Sequence, residues 1–523
     1  MLITIQNPDR ECIMARVRRS AGMFAAAALC WGAACVLGQG NSDDKPKADT
    51  PVQSESVSVT KHAVTIDGRE IEYSAAAGYL QLPDYEGKPR ANVFYVAYTI
   101  EGVDPAERPV TFTFNGGPGS SSVWLHMGAL GPRRVDMGVE GFDQSPPFRV
   151  VPNEHSWLDL TDLVFIDPVS TGYSRPVEGQ DAKQFHGLEE DLSSVGDFIR
   201  LWTTRHERWL SPKFLAGESY GTTRAAGLSA YLQDTHGMYL NGLLLISSVL
   251  NFQTIRFGEG NDDPYWLFLP TYTATAWYHG KLAPDLQRDL RTTLTEVEGW
   301  ASTGYLLALA KGDSLTPEER REVVHRLARY TGLSERFVEL SGLRIDIFRF
   351  TKELLRNEGR TVGRLDSRFK GMDRDGTSAG FDYDPSMTAI TGPFTAGLND
   401  YVRRELGYRN DLPYEILTGR VHPWSYRTSE NRYVNVATRL RDAMHKNPAL
   451  MVFVASGYYD LATPYFATDN TLARLGVDAS LRGNVHVSYY ESGHMMYIRE
   501  SDLAKLKRDV VPFYRDAARV GGK

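Results

Sequence analysis

The sequence contains few cysteines, and all of them lie close to the N-terminus. Among 523 residues there are three, Cys12, Cys30 and Cys35. The remainder of the chain therefore has no disulfide framework, no thiol nucleophile and no Cys-based metal site. A large hydrophobic core must stabilise the fold instead. The length suffices for one large domain with an insertion or for two domains.

Charge of one sign and long apolar runs are also lacking. The net charge is −7, from 58 Lys and Arg against 65 Asp and Glu, and no basic stripe indicates nucleic-acid binding. Beyond the N-terminus, no apolar segment approaches the ~20 residues that a membrane helix needs. The 42% hydrophobic content is typical of a globular protein. We therefore expect no nucleic-acid partner and no membrane span in the mature chain.

The N-terminus has the layout of a secretory signal. Arg16, Arg18 and Arg19 precede the apolar stretch 21–37, and small and polar residues follow it. This order of charge and hydrophobicity predicts a signal peptide over residues 1–38, with cleavage near Gly38. The expected location is the periplasm or the external medium.

Two alternatives to a cleaved signal are disfavoured by the sequence. A membrane anchor is disfavoured because the apolar stretch is short and rich in alanine. Lipid attachment at Cys35 is disfavoured because Gly32 stands where a leucine-like residue is preferred. Met14 is an alternative start, because it would place the three arginines at the front of the signal.

Strand and helix patterns alternate along most of the chain, which predicts an α/β fold whose mostly parallel central sheet is flanked by helices. Continuous apolar runs such as 163–166 and 243–246 are typical of strands buried on both faces. The predicted strands are 64–66, 70–73, 92–100, 110–114, 163–166, 213–216, 243–246, 450–455 and 485–490, and the predicted helices include 188–202, 220–232 and 501–519.

A helical insertion interrupts this alternation. Strand patterns are missing from this segment, and Thr316-Pro317-Glu318-Glu319 is typical of a helix start. Residues 359–385 are polar and rich in Gly and Asp, which predicts a loop, and a surface turn is favoured over a calcium site at Asp373 because the full ligand spacing is missing. The predicted division is a linker at 39–62, a first core part at 63–251, a helical lid at 252–410 and a second core part at 411–523.

Ser219 is the candidate nucleophile. Gly217-Glu218-Ser219-Tyr220-Gly221 fits G-x-S-x-G, with a predicted strand before it and a predicted helix after it. This is the setting of a nucleophile elbow, where a tight turn exposes the serine oxygen and leaves no room for side chains at the flanking glycines. The helix N-terminus behind the serine favours developing negative charge.

A glycine-rich loop follows an earlier predicted strand. Asn115-Gly116-Gly117-Pro118-Gly119 stands where α/β-hydrolases place one oxyanion donor, the other being the amide after the nucleophile. The candidate donors are the N–H groups of Gly117 and Tyr220. A simple turn is the alternative, but the position of the loop ahead of Ser219 matches the order that the fold requires.

His494 and Asp460 are the candidate base and its orienting carboxylate. In this fold the chain order is Ser, then Asp, then His. Asp460 follows the strand 450–455, and His494 follows the strand 485–490, so both lie at the sheet edge expected for Ser219. Asp469 and Asp478 stay open as alternative carboxylates, although neither directly follows a buried strand.

Together these motifs resemble the serine carboxypeptidases, peptidase family S10. The resemblance runs from about 110 to 499 and is weak in the insertion. It rests on 115–121, 155–157, 163–169, 172–174, 217–221, Asp460 and 493–495. It implies an α/β-hydrolase that removes residues from peptide C-termini at acidic pH, without metal or cofactor. It also implies that Asn115, Gly116 and Glu218 bind the terminal carboxylate of the substrate.

Three departures from the family pattern bear on specificity. A tryptophan of the family is Thr113 here, and a second glutamate linked to substrate-carboxylate binding is Ala129. The family's second glycine after the elbow is Thr222 here, followed by Thr223 and Arg224. For Arg224, a structural ion pair is favoured over pairing with Glu218 or with the substrate. Ala129 motivates an alternative function, that of an esterase or acyltransferase. A non-catalytic binding protein is the third functional hypothesis. The sequence leaves the oligomeric state open, with a homodimer among the alternatives.

Overall fold

The computed structural model describes residues 56–143 and 145–518. The predicted signal peptide, with all three cysteines, lies outside these residues. The strands are β1 Val57–Ile66, β2 Arg69–Pro83, β3 Pro89–Thr99, β4 Val110–Phe114, β5 Arg133–Val135, β6 Val150–Pro152, β7 Asp162–Ile166, β8 Arg175–Pro176, β9 Lys213–Ser219, β10 Gly242–Ser248, β11 Arg360–Val362, β12 Lys370–Met372, β13 Met451–Gly457 and β14 Val485–Tyr490.

Helices connect and cover these strands. They are α1 Val123–Leu125, α2 Leu188–Arg205, α3 Tyr220–His236, α4 Asp263–Tyr278, α5 Leu290–Trp300, α6 Leu306–Lys311, α7 Pro317–Thr331, α8 Glu335–Leu340, α9 Ile347–Glu353, α10 Pro385–Arg404, α11 Ala437–Lys446, α12 Tyr465–Ala473 and α13 Glu500–Ala517. Two π-helical turns, His126–Leu130 and Ala301–Tyr305, extend α1 and precede α6. Within the described residues, no helix is both long and apolar enough to cross a membrane.

One large mixed sheet organises the fold. Its strand order is β1-β2-β3-β7-β4-β9-β10-β13-β14, and β8 pairs with β3. The pairs β1·β2, β2·β3 and β3·β7 are antiparallel, whereas every pair from β7 through β4 to β14 is parallel. The predicted α/β fold with a mostly parallel, helix-flanked sheet is confirmed.

Alternate residues of the buried strands enter two cores on opposite faces of the sheet. Leu215 of β9 packs in the core that contains Trp202 of α2, whereas its neighbour Phe214 packs with Phe513 of α13 on the other face. Both faces are therefore covered, which explains the continuous apolar runs. Because β4, β9, β13 and β14 run parallel, the loops that follow them meet at one edge of the sheet.

The N-terminal hairpin is longer than the sequence predicts. Val64–Ile66 and Arg69–Tyr73 pair as expected, but β1 already begins at Val57, within the predicted linker 39–62. Alternate residues of β1 are exposed because it is an edge strand. Its polar composition, with Ser58, Thr60 and Lys61, therefore resembles that of a linker.

Residues 252–410 contain helices α4 to α10. Most of these helices pack around Trp266, Tyr272 and Phe350, in a cluster that also includes Leu461 and Ala467, whereas α10 packs in the main core. Thr316 forms the predicted capping box at the start of α7. The segment 359–385 is not simply a loop as predicted, because β11 and β12 form a hairpin within it. Each of these strands has only three residues, too few for an alternating pattern to be recognised.

Candidate active site

Ser219 lies at a strained turn between β9 and α3. Its backbone has φ 61° and ψ −129°, outside the regions that a non-glycine residue normally adopts. A Cβ atom at Gly217 would lie 2.2 Å from the carbonyl oxygen of Gly221, and one at Gly221 would lie 2.8 Å from that of Phe114. Both flanking positions therefore require glycine, as the elbow motif predicts.

The glycine-rich loop after β4 touches this elbow. A Cβ at Gly116 would lie 2.4 Å from the backbone nitrogen of Tyr220 and 2.8 Å from the carbonyl oxygen of Glu218. Gly117 has φ 102°, in the region that favours glycine. The absence of a side chain at Gly116 allows the loop to reach the backbone around Ser219.

His494 and Asp460 form a buried hydrogen-bonded pair. His494 Nδ1 lies 2.7 Å from Asp460 Oδ2. Asp460 Oδ1 accepts hydrogen bonds from the backbone N–H groups of Ala462 and Thr463, and Thr463 Oγ1 donates to Oδ2. The carboxylate is therefore held rigidly. Because it engages Nδ1, Nε2 is the imidazole nitrogen left for chemistry.

The backbone around His494 is fixed as well. The His494 N–H donates to the carbonyl of Leu365 over 2.7 Å, and Ser247 Oγ donates to the His494 carbonyl over 2.6 Å. Burial disfavours the imidazolium, but the charge and hydrogen bond of Asp460 outweigh burial and raise the pKa of His494 above its usual value. The site therefore stabilises the positive charge that a general base acquires.

A cavity of about 360 Å³ brings most of the predicted site residues together. Ser219 and His494 both line it, with Asp460 buried behind the imidazole. Its lining residues are Asn115, Gly116, Gly117, Pro118, Ser120, Trp124, Glu218, Ser219, Arg364, Leu365, Met387, Ile390, Leu417, Thr418, Gly419, His422, His494 and Met495. Tyr220, the other predicted oxyanion donor, is buried directly after Ser219 at the start of α3.

Glu218 supplies the carboxyl group of this cavity. Burial raises its pKa to about 7, against opposing effects from His494, Tyr497 and Asn115. Tyr497 Oη donates a hydrogen bond to Glu218 Oε2 over 2.5 Å. Asn115 Oδ1 accepts a hydrogen bond from the Leu125 N–H. The buried Nδ2 donates no hydrogen bond with standard geometry to another described residue. Below this pKa, a protonated carboxyl and an amide donor are thus available to an anion.

Arg224 forms a structural ion pair, as the sequence favours. Its Nε donates to Asp191 Oδ2 over 2.7 Å, and its Nη1 donates to the Asn115 carbonyl over 2.6 Å. Arg224 and Asp191 are both almost fully buried. The pair therefore supports the backbone of the glycine-rich loop and does not engage the Glu218 side chain.

The alternative carboxylates and the buried histidine His126 have other partners. Asp469 accepts a hydrogen bond from Tyr489 Oη, and Asp478 caps the turn that starts at Ala479. His126 is buried against Tyr98, and burial lowers its pKa to about 3. Of the three aspartates considered, Asp460 is the one that contacts His494.

Asp373 lies in the segment for which a surface turn is favoured over a calcium site. This carboxylate forms a buried ion pair with Lys352. Among the described residues, no group of three or more His, Cys, Asp or Glu side chains is placed to hold a metal ion.

Among the residues in and around the cavity that were not predicted, three bear on the chemistry of the site. Tyr497 follows His494 closely in sequence, but nothing in the local pattern predicts its bond to Glu218. Arg364 and Leu365 enter the cavity from the turn between β11 and β12. That segment was predicted to be a polar loop, so its contribution to the site was missed.

Comparison with known proteins identifies related chains. The sequence model of the serine carboxypeptidase family matches residues 67–502. Serine carboxypeptidase-like 45 of Arabidopsis thaliana is 25% identical over 217 residues, which cover 39% of this chain and 42% of that protein. The pheromone-processing carboxypeptidase KEX1 of Yarrowia lipolytica is 32% identical over 171 residues, covering 31% of this chain and 24% of that protein. The matches thus span less than half the length of these relatives.

Among solved structures, the chain is similar to Kex1(Δ)p, a prohormone-processing carboxypeptidase from Saccharomyces cerevisiae. The TM-score is 0.51 at 17% identity, and the match covers 85% of this chain and 91% of that one. At this identity the likeness concerns the fold. It agrees with the mixed sheet and flanking helices described above and confirms the predicted α/β-hydrolase fold.

Proposed function

This chain belongs to the serine carboxypeptidase family, and we propose that it hydrolyses the last peptide bond of peptides by serine chemistry. The observation that carries the proposal is the composition of one cavity. Ser219 and His494 line it together with Asn115 and Glu218, whose carboxyl has a pKa of about 7. A nucleophile and base therefore lie beside groups suited to a terminal carboxylate.

The proposed reaction proceeds through an acyl-enzyme. Ser219 Oγ attacks the carbonyl carbon of the scissile bond while His494 Nε2 accepts the serine proton. The backbone N–H groups of Gly117 and Tyr220 stabilise the oxyanion. His494 then donates the proton to the leaving amine, and water attacks the ester in the second half of the reaction. Asp460 orients the imidazole and stabilises its cation, for which the 2.7 Å bond to Nδ1 is suited.

The free carboxylate of the substrate is proposed to bind between Asn115 and Glu218. Asn115 Nδ2 donates one hydrogen bond, and the protonated Glu218 carboxyl donates another, beside the backbone of Gly116. A buried, ionised Glu218 would repel the substrate, so binding requires its neutral form. Its pKa of about 7 supports action at acidic to neutral pH.

Two measurements test this function. An organophosphonate probe is expected to label the wild-type chain and to leave Ser219→Ala unlabelled. Mass spectrometry of a peptide library should find single residues released from C-termini. Intact labelling and turnover in Ser219→Ala would contradict the mechanism, and products from internal bonds or peptide N-termini would contradict the exopeptidase assignment.

An esterase or acyltransferase of the same fold is the second candidate. It is motivated by Ala129, which is buried and carries no carboxyl group. Blocked dipeptides with a free C-terminus, compared with their amides and methyl esters, separate the two functions. A strong preference for the free acid supports the carboxypeptidase, whereas equal or faster cleavage of the ester supports the esterase.

We further propose that the protein is exported by the signal predicted over residues 1–38. The support is the order of arginines, apolar stretch and small residues in the sequence. Expression of the full chain, followed by fractionation and mass measurement of the mature N-terminus, tests it. A chain retained in the cytoplasm with its leader intact would contradict export. A homodimer stays a prediction, which sedimentation analysis of the purified protein would test.

A further inference from the structure

The turn between β11 and β12 is attached to both loops that carry His494 and Asp460. The carbonyl of Arg364 accepts a hydrogen bond from the Leu461 N–H over 3.0 Å, and the Leu365 carbonyl accepts one from the His494 N–H over 2.7 Å. Asp366 Oδ2 accepts one from the Gly493 N–H over 3.1 Å. These bonds fix the backbone of Arg364 beside the catalytic imidazole.

The side chain of Arg364 lines the cavity and is weakly paired. Its guanidinium forms no hydrogen bond to another described residue, and Nε lies 4.0 Å from Asp384 Oδ2. Asp384 Oδ1 is already used by the N–H groups of Arg364 and Ser386 and by Ser386 Oγ. About a third of the arginine side chain is exposed. A cation with free donors in a cavity is available to an anionic ligand.

Neighbouring Arg368 offers a contrast within the same turn. Its Nε and Nη2 both donate to the Asp366 carboxylate, and its side chain is almost fully buried. Arg368 therefore serves the fold, whereas the donors of Arg364 are left open.

The charges around the cavity favour an acidic substrate. Arg364, His422 and His494 are the lining residues that can carry positive charge, and Glu218 is the one lining carboxyl group. Below its pKa of about 7, Glu218 is largely neutral. A substrate carboxylate therefore meets attraction, and a basic side chain meets repulsion. The apolar lining, which includes Trp124 and Met387, suits an aliphatic stem.

We propose that Arg364 binds the side-chain carboxylate of a C-terminal aspartate or glutamate and gives the protein a preference for such peptides. The proposal rests on the proposed function, in which the terminal α-carboxylate occupies Asn115 and Glu218. His494 donates its proton to the leaving amine, so the group beside His494 belongs to the leaving residue. Arg364 precedes the residue whose carbonyl binds the His494 N–H, and both Arg364 and His494 line the cavity, so we assign Arg364 to the side of the leaving residue.

The test uses N-blocked dipeptides that differ only in their last residue, Glu, Gln, Leu or Arg, at a pH of about 6. In the wild-type protein we expect kcat/KM for Glu to exceed that for the isosteric Gln by about tenfold or more. Arg364→Gln should bring this ratio close to one, because it should lower kcat/KM for the Glu peptide about tenfold more than for the Gln and Leu peptides. Arg364→Lys should retain part of the preference.

Arg374→Gln is the matched control, because Arg374 belongs to the same insertion and its side chain is 87% exposed. It should leave the Glu-to-Gln ratio unchanged, and thermal denaturation should find all three variants folded. An unchanged ratio in Arg364→Gln would overturn the proposal. An equal loss for the Glu, Gln and Leu peptides would also overturn it, because that pattern indicates binding of the α-carboxylate or a structural role.

The same assay separates this inference from the proposed function. Cleavage of the Leu peptide by the wild-type protein supports the carboxypeptidase whatever Arg364 binds. No cleavage of any free-acid peptide would contradict the proposed function itself. A preference for an acidic residue at the penultimate position, measured with peptides extended by one residue, would overturn the assignment of Arg364 to the leaving residue.

Discussion

Tyr497 donates a hydrogen bond to Glu218 across 2.5 Å, and its ring packs against the turn that carries Ala129. A Cβ atom at Gly128 would lie 2.5 Å from Tyr497 Cε2, so the glycine leaves room for the ring. Ala129, which stands where the family has a second glutamate, therefore directly follows the glycine that packs against Tyr497, the residue that binds Glu218. Tyr497 is thus a hydrogen-bond donor to Glu218 that favours its ionised form, against the larger effect of burial.

The ionisation of Glu218 should set the alkaline limit of activity. Its folded pKa is raised to about 7 by burial, so it loses its proton as pH rises through this value. For peptides with a free C-terminus, kcat/KM should fall about tenfold per pH unit above the pKa. Glu218→Gln stays neutral and should lack this fall. A blocked ester substrate is the control, because it has no free carboxylate for Glu218 to bind. Protonation of His494 should affect the peptide and the ester alike. A fall of equal size with the ester would contradict this role of Glu218.

Tyr497→Phe should move this limit to higher pH. The phenol donates to the carboxylate and so favours its ionised form, which means that its loss raises the pKa of Glu218 further. A displacement of about one pH unit is expected for one hydrogen bond to a charged group. The pH profile of kcat/KM with a free-acid peptide measures it, and the ester profile should be unaffected. Displacement to lower pH would be the contrary result.

The parts of the site that follow buried strands could be predicted from sequence. Ser219 ends one strand, Asp460 and His494 each follow another, and chain order then assigns all three to one sheet edge. The glycines at 217 and 221 are required by backbone contacts within and around the elbow, so the local motif already contains the constraint.

Contacts between distant segments could not be predicted in this way. Tyr497 and Glu218 are 279 positions apart, and no periodic pattern connects them. Arg364 follows a strand of three residues, and its position in the cavity depends on hydrogen bonds to the Leu461 and His494 backbone. The early start of β1 was missed because an edge strand exposes polar residues as a linker does.

Replacing Asp460 with Asn should impair turnover with little effect on substrate binding. The backbone N–H groups of Ala462 and Thr463 hold this side chain in place, so the fold should persist. An amide stabilises neither the required tautomer nor the imidazolium, and kcat should fall about 10³- to 10⁴-fold. Thr463→Val removes a neighbouring hydrogen bond but leaves the carboxylate, and it should cost about tenfold or less. Steady-state kinetics of the two variants test this, and a kcat of Asp460→Asn near that of Thr463→Val would refute it.

Arg224→Met should destabilise the protein, and the loss should depend on pH. Removing the guanidinium leaves Asp191 buried without its ion-pair partner, which typically costs about 3–5 kcal/mol in free energy of unfolding when the carboxylate is charged. Burial already raises the pKa of Asp191, against the opposing effect of Arg224. Without Arg224 the folded pKa rises further above its unfolded value. Stability is then retained at low pH, where the carboxyl is protonated in both states, and is lost as pH rises past the unfolded pKa.

Urea denaturation of Arg224→Met and wild type at a pH of about 4 and about 7 measures this difference. The deficit should be larger at the higher pH, and the double variant Arg224→Met, Asp191→Leu should recover part of it because no charge is then buried. Because Arg224 also holds the Asn115 carbonyl, kcat/KM of the double variant should stay low even where stability is recovered. A deficit independent of pH would show that lost packing of the arginine, rather than an unpaired Asp191, dominates. Full recovery of kcat/KM in the double variant would show that the bond to Asn115 is dispensable.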